Sequence, residues 1–348
     1  MMMMSKVISE EMLEMTRGLI KKSSKIAIVT HISPDGDALG SSLGLHHFLE
    51  EMGNDVTVVV PNDFPDFLKW MKGTKDVLIH EKYPDFASQV ISEADLIFCL
   101  DFNSLSRVGR LEEQLAKSAA KKVLIDHHLD PAIACDVAIS YPEVSSTSEL
   151  VFRLICKISS YDLISKYTAE CIYTGMMTDT GAFTYNSNYP DIYFIISQLL
   201  KKGIDKDLIY RNVYNNYSEN RIRLMGRVFK DNLYLYENYA TAVIHLSKED
   251  LDEHKYKPGD TEGLVNIPLT IKGIIFSVFF KEENDKIKIS FRSIGDFPAN
   301  KIAAEHFNGG GHLNAAGGEY RGSLADAMYE FESILSSFVE FIPKKIEN

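Results

Sequence analysis

The stretch KIAIVTHISPDGDALGSSLG, Lys25–Gly44, decides how the rest of the chain is read. Its first six residues, KIAIVT, carry four consecutive apolar side chains and are rich in β-branched residues, a strand pattern. His31, Asp35 and Asp37 then fall within seven residues, followed by glycines and other small residues. Carboxylates crowded at the end of an apolar strand repel one another, and burying them unpaired is costly. The stretch therefore calls for positive charge that it does not itself contain. Two readings are open. A divalent metal would resolve the repulsion, and oxygen ligands with one or two imidazoles suit Mn²⁺ or Mg²⁺ better than structural zinc, which favours thiolates. Alternatively SPDGD, standing before ALGSSLGLHHFLE, is the N-cap of a helix.

Working outward, the first half of the chain alternates apolar strand-like runs with helical patterns. The expected strands are 25–30, 55–60, 76–79, 95–100, 122–126 and 137–140, with helices notably at 38–52 and 110–120. Such alternation predicts an α/β fold, a mainly parallel doubly wound sheet with helices on both faces. Ligands of such sheets bind beyond the carboxyl ends of the strands. His31 follows the first strand, Asp101 follows LIFCL, and Asp126-His127-His128 follows KVLI. The topology can thus gather them in one crevice. Asp179, in GMMTDTGAF, stands at the end of a helical run. Taken singly, Asp101 reads as a turn residue, the histidines as a structural pair and Asp179 as a helix end.

Residues 145–203 read as helical, with Ser145, Ser146 or Thr147 as a cap and Glu149 in the first turn. Residues 205–230 read as one long connecting helix. From about 231 the texture changes to NLYLYE, YATAVIHL, IKGIIFSVFFKE and DKIKISFRS, strands with ENDK as a hairpin turn, followed by helices near 299–307 and 324–341. The expected organisation is a domain at 1–204, the connecting helix at 205–230, and a smaller α+β domain at 231–348.

Composition narrows the function. The 348 residues are 45% hydrophobic and 25% charged, the profile of a globular chain with room for two domains. The net charge of −12 argues against a broad grip on long duplex nucleic acid, which needs many phosphate-neutralising Lys and Arg. It leaves room for a short anionic substrate, because a bound divalent cation reverses the local field. No run approaches the roughly 18 apolar residues of a membrane span, so no membrane is expected. The amino terminus reads as a helix rather than a signal peptide, which implies a cytoplasmic location. Cys99, Cys135, Cys156 and Cys171 form no C-x-x-C pair and read as buried free thiols.

The ordered set H-x-x-x-D-x-D, D, D-H-H and D resembles the DHH phosphoesterase superfamily. NGGGHLNAAGG, 308–318, is similar to the glycine-rich signature of the DHH-associated carboxy-terminal domain. The two-domain size most resembles the NrnA-type subgroup of bifunctional oligoribonucleases and phosphoadenosine phosphate (pAp) phosphatases. The resemblance implies two divalent cations, Mn²⁺ in first place and Mg²⁺ as the alternative. His31, Asp35 and Asp101 would hold one ion. Asp37, Asp101, His127 and Asp179 would hold the other, with Asp101 bridging. Two such ions about 3.5–4 Å apart clamp an in-line displacement. The catalytic pair would be His128, facing the scissile phosphate, and Asp126, orienting a histidine. Arg292 resembles the family's substrate-binding arginine. Gly309, Gly310 and Gly311 would take positive φ and turn their amides to an anion, with His312 donating to phosphate or contacting a base. Asn308 departs from the family pattern, where many relatives carry a further glycine.

The function implied is metal-dependent hydrolysis of short oligoribonucleotides or dinucleotides to nucleoside monophosphates, with pAp as a further substrate. The alternatives are an inorganic pyrophosphatase or exopolyphosphatase and, in another class, a catalytically silent nucleotide sensor. The expected partner is a short oligonucleotide or nucleotide, and a homodimer is allowed for. Arg107 reads equally as a site residue or a solvated helix start. His46 and His47, within a helical pattern, read as packing or surface residues. Trp70, Phe64 and Phe67 read as packing, as do the helically spaced Tyr210, Tyr214 and Tyr217.

Overall fold

The computed structural model describes residues 6–342. Residues 1–5 and 343–348, which the sequence reading assigns to the two outer domains, lie outside the described residues. The chain divides into two compact units between Asn216 and Tyr217.

The first unit is built on six strands: β1 Lys25–Val29, β2 Asp55–Val60, β3 Leu78–Ile79, β4 Leu96–Leu100, β5 Lys121–Asp126 and β6 Val137–Ser140. They lie in the order β3-β2-β1-β4-β5-β6, every pair parallel. Its helices are α1 Glu10–Lys22, α2 Gly36–Glu51, α3 Pro84–Glu93, α4 Glu112–Lys117, α5 Thr147–Ile158, α6 Lys166–Asp179, α7 Pro190–Lys201 and α8 Lys206–Tyr214. Strand alternation sorts them onto two faces. Ile26, Ile28, Phe98 and Ile125 pack with residues of α1, α2, α5 and α6, while Ala27, Val29, Cys99 and Leu124 pack with α3 and α4. A strand covered on both sides must be apolar at nearly every position, which is why these runs stand out in the sequence.

The strand order reverses between β1 and β4, and doubly wound sheets open a crevice at that switch point, beyond the strand ends. Helices α2 and α6 cross at very short range. A Cβ on Gly36 would lie 2.3 Å from Thr178 Oγ1, and one on Gly40 would lie 2.6 Å from the Cys171 carbonyl. The glycines and small residues of the opening stretch therefore let one helix lie directly on another.

The second unit contains α9 Glu219–Asp231, α10 Lys248–Glu253, α11 Ala299–His306 and α12 Leu324–Ile334. Its sheet comprises β7 Leu233–Tyr236, β8 Thr241–Leu246, β9 Phe276–Glu282, β10 Ile287–Ser293, β11 Gly310–His312 and β12 Ala315–Tyr320. The order is β11-β12-β10-β9-β8-β7, antiparallel except for the parallel β8–β9 pair. Phe276, Phe280 and Phe291 pack against Phe307 of the α11 end and Phe331 of α12. Ile244 and Phe279 pack on the other face with Leu224 and Val228 of α9.

Two expectations need correction. The single connecting helix over 205–230 is two helices, α8 and α9, interrupted after Tyr214. Ser218 caps α9 by accepting from the Arg221 amide, so a new helix start is written inside the expected span. The segment 324–341 is α12 followed by a 3₁₀ stretch, Leu335–Phe341. The four cysteines are free, Cys99 and Cys171 buried and Cys135 and Cys156 half-buried. Phe64 lies in the core with Phe67 and Trp70 against it, and Tyr214 is partly packed there; Tyr210 and Tyr217 are exposed, the first beside the Tyr214 ring and the second under the Arg221 guanidinium. No described helix is long and apolar enough to cross a membrane.

Candidate metal centre

Beyond β1, the ring of His31 is fixed by Nδ1, 2.8 Å from the Ile32 carbonyl. A carbonyl only accepts, so Nδ1 carries the proton and Nε2 keeps its lone pair, the tautomer a metal ligand needs. That Nε2 stands 3.4 Å from Asp101 Oδ2 and 3.9 Å from Asp35 Oδ1. Asp35 caps α2, its Oδ1 accepting from the amides of Asp37 and Ala38 at 3.0 Å each. The capping and metal readings of the opening stretch are therefore compatible in one residue.

Asp101 follows β4 at a left-handed φ of 66°, a conformation rare for residues other than glycine and tolerated by aspartate. Its amide donates to the Ile125 carbonyl, and its Oδ1 accepts from the Thr147 hydroxyl at 2.9 Å. The two oxygens of this carboxylate face different histidines: Oδ2 approaches His31, and Oδ1 lies 3.7 Å from His127 Nε2. His127 Nε2 is also 3.4 Å from Asp179 Oδ2, at the last residue of α6. Asp37, fully buried in the first turn of α2, accepts from the amides of Thr147 at 2.7 Å and Ser148 at 2.9 Å. The N-terminus of α5 thus holds one of the acids, and it does so through backbone donors that residue identity does not advertise. His31, Asp35 and Asp101 form one group whose ligating atoms lie within 4.8 Å of one another, and Asp37, His127 and Asp179 form another.

Asp126, the last residue of β5, accepts from His128 Nδ1 at 2.7 Å, so it orients His128. Its second oxygen is buried without a hydrogen-bond partner.

The titration of these groups follows from the crowding. Burial, and then the charges of Asp37, Asp35 and Asp179, push the Asp101 carboxyl well above the usual range. Burial likewise raises Asp37, only partly offset by His127 and the Ser148 contacts. Burial opposes ionisation of Asp35, but the electrostatic pull of the neighbouring His31 ring and the two capping amides outweigh it and hold the group low. Asp126 is also low, its desolvation overcome by His128. Burial disfavours the His127 imidazolium, yet Asp179, Asp101 and Asp37 overcome that and lift it to about 9. Without cations the cluster is short of positive charge and retains protons to compensate.

The residues fit a pair of divalent cations. Ligand arms of about 2.0–2.2 Å place neighbouring donors roughly 3.0–3.6 Å apart. The His31–Asp101 and His127–Asp179 separations fall in that range, too long for good hydrogen bonds. The donors are carboxylate oxygens and imidazoles without thiolate, a set suited to Mn²⁺ and Mg²⁺.

The glycine-rich segment differs from its expected form. Gly309, Gly310 and Gly311 do not form a loop of successive positive-φ residues. Only Gly311 lies there, at 143°, and residues 310–312 form the edge strand β11. Gly309 is needed for space, since a Cβ would lie 2.0 Å from the Gly317 carbonyl, while Gly310 faces open space. Asn308 adopts φ 45°, a left-handed conformation that asparagine tolerates, so the departure from glycine is accommodated. His312 ends β11. Arg292 lies on β10, its Nη1 donating to the Phe291 carbonyl at 2.9 Å. Arg107 is half-buried in a 3₁₀ turn, and its carbonyl accepts from the Ile32 amide, beside the His31 loop.

Comparison with known proteins adds to this geometry. Residues 25–176 match the DHH family, N-terminal domain, and residues 237–340 match the DHHA1 domain. The bifunctional oligoribonuclease and PAP phosphatase NrnA of Thermus thermophilus is 30% identical over 314 residues, covering 88% of this chain and 87% of that protein. The Bacillus subtilis protein of the same name is 29% identical, covering 84% and 88%. Among solved structures, an exopolyphosphatase-related protein from Bacteroides fragilis is 54% identical with a TM-score of 0.94, covering 98% of this chain and 100% of that one.

Proposed function

The chain belongs to the DHH family of phosphoesterases, and from that premise we propose that it is a metal-dependent hydrolase of short oligoribonucleotides or dinucleotides, releasing nucleoside monophosphates, with pAp as a further substrate. The observation that carries the reading is Asp101, one carboxylate with its two oxygens turned to two histidines at the switch point of the sheet. In this reading His31, Asp35 and Asp101 hold one divalent cation. Asp37, Asp101, His127 and Asp179 hold the second, and Mn²⁺ or Mg²⁺ suits both. When bound, such a pair makes water a better nucleophile and neutralises phosphoryl oxygens.

The chain's own residues do the rest. Asp126 holds the His128 ring through Nδ1, and His128, as the imidazolium, would donate from Nε2 to a phosphoryl oxygen as charge develops there. Thr147 keeps Asp101 in place through its hydroxyl, and the α5 amides keep Asp37 from swinging. Arg292, with a planar fork matched to phosphate, and the Gly309–Gly310–Gly311–His312 segment bind the substrate's other phosphate or base. The nucleotide preference rests on the names of the NrnA relatives. A second reading, pyrophosphatase or exopolyphosphatase, draws on the name of the Bacteroides fragilis relative.

The test is the full chain assayed with Mn²⁺ and with Mg²⁺ against pApA, pAp, pyrophosphate and polyphosphate. AMP released from pApA, and phosphate from pAp, each abolished by a chelator, is the expected result. Turnover confined to pyrophosphate or polyphosphate would overturn the substrate class. Nucleotide binding without turnover in either metal would make the chain a sensor.

A further inference from the structure

At the other end of α2 from Asp37, three ligand-type side chains meet outside the acidic cluster. His46 Nδ1 stands 3.3 Å from Glu50 Oε2, and His47 Nδ1 stands 3.7 Å from the same oxygen. All three ligating atoms lie within 4.8 Å of one another. The helical rise of about 1.5 Å per residue puts this group roughly 15 Å from Asp37.

The protons on these rings are assigned by their other contacts. His47 Nε2 lies 2.9 Å from the Lys72 carbonyl, which only accepts, so Nε2 carries the proton and Nδ1 keeps its lone pair. His46 bonds the backbone of Val56, while its Nδ1 is buried with no hydrogen-bond partner. Its free lone pair therefore sits on Nδ1 as well. In these tautomers two imidazole lone pairs and a carboxylate oxygen face one another, an arrangement completed either by a proton on one ring or by a cation held among the three. The side chains of His46 and His47 are 12% and 10% exposed, which keeps the rings from swinging out to water, whereas Glu50 is 51% exposed and can adjust.

The surroundings hold the rings in place and leave access. Gly73, at φ 92°, brings its turn so close that a Cβ would lie 3.2 Å from His47 Cε1. The group opens into a surface basin of about 730 Å³, also lined by Asp76 and Tyr167. The Lys72 ammonium lies over the Tyr167 ring, 6.0 Å from its centroid.

We propose that His46, His47 and Glu50 form a second cation site, distinct from the acidic cluster, that takes a zinc-type divalent ion. Two imidazoles and one carboxylate, with a position left for water, suit zinc and its late-transition-metal neighbours better than Mn²⁺ or Mg²⁺. Bound there, the ion ties the end of α2 to the Lys72–Gly73 turn, because the carbonyl of Lys72 fixes the ring of His47 as an outer partner.

The experiment is equilibrium dialysis of the metal-free full chain against zinc, comparing wild type with Glu50→Gln and His47→Gln. Zinc taken up by the acidic cluster is common to all three and drops out of the comparison. The expected result is one fewer zinc bound by each variant at a concentration that saturates wild type, the affinity of that site falling by at least roughly a hundredfold. Glu50 is half-exposed, so Glu50→Gln keeps the fold even if His47→Gln does not, and its circular dichroism and Mn²⁺-supported activity should match wild type. Equal zinc stoichiometry and affinity in wild type and Glu50→Gln would overturn the proposal.

Discussion

Gly175→Ala tests whether the acidic cluster depends on the helix crossing beneath it. A Cβ at this position of α6 would lie 1.9 Å from Ser148 Oγ, 2.8 Å from Ser148 Cβ and 2.8 Å from Asp37 Oδ1. Rotating the Ser148 hydroxyl relieves the first contact. It cannot relieve the second, because Cβ is fixed to the α5 backbone. Asp37 cannot retreat freely either, since the Thr147 and Ser148 amides hold both its oxygens. Either α5 moves away from α6 or Asp37 loses an amide. Overpacking costs about 1–3 kcal/mol, and a lost hydrogen bond to a charged group about 1.5–3 kcal/mol. Against this, replacing glycine in a helix returns at most about 1 kcal/mol. The net expectation is a loss of roughly 1–2 kcal/mol in urea denaturation. Displacing Asp37 should also weaken Mn²⁺ binding by about tenfold or more. Gly18→Ala is the control: it sits in α1, where an added Cβ would meet no heavy atom within 4 Å, and should gain about 0.5–1 kcal/mol. If Gly175→Ala gains stability as Gly18→Ala does and binds Mn²⁺ like wild type, the packing argument is wrong.

Asp101→Ala should abolish turnover and the binding of both ions in a metal titration, since it removes the carboxylate between His31 and His127; near-normal activity with two bound metals would refute this. Arg292→Ala should raise KM while leaving metal content intact, and loss of metal would show that Arg292 serves the metal centre instead. Stability of the metal-free protein should fall as pH rises from 6.5 to 9. His127 is lifted from 6.5 to about 9, so its contribution, on the order of 3 kcal/mol, is complete below pH 6.5 and lost through pH 9. The raised carboxyls of Asp101 and Asp37 act in the same direction, and the lowered ones of Asp35 and Asp126 matter only in acid. Urea midpoints across that range check the slope, which saturating Mn²⁺ should flatten; a metal-free stability that rises with pH would contradict the charge balance.

Much of the first unit was legible because its sheet is buried on both faces. Strands such as Leu96–Leu100 and Lys121–Asp126 cannot carry a polar face, so their apolar runs end close to where the strands end, and the acids and histidines beyond them stand out. The glycine-rich hairpin Gly310–Tyr320 was not legible as strands, because small residues give no alternation of apolar and polar positions. The break between α8 and α9 was hidden by amphipathic patterns on both sides of it, although the Ser218 cap was present in the sequence. The partners of Asp37 could not be read either. They are main-chain amides of Thr147 and Ser148, about 110 residues away, and an amide carries no sequence signature.

These contacts explain how a cluster so poor in positive charge keeps its shape. Four of the six candidate ligands are each secured by a bond that leaves a further lone pair: His31 through the Ile32 carbonyl, Asp35 through the α2 amides, Asp37 through the α5 amides and Asp101 through the Thr147 hydroxyl. The left-handed turn at Asp101 costs of order 1 kcal/mol or more, and it persists because its amide continues the sheet ladder to Ile125. Ordering costs are therefore met when the chain folds, before a cation arrives. The repulsion among Asp101, Asp37, Asp35 and Asp179 is left to be relieved by binding. A cluster of the same acids on mobile loops would relieve that repulsion by moving apart. Here Asp35, Asp37 and Asp101 are held together by their backbone and hydroxyl donors, and the energy of their crowding is available to a cation that binds among them.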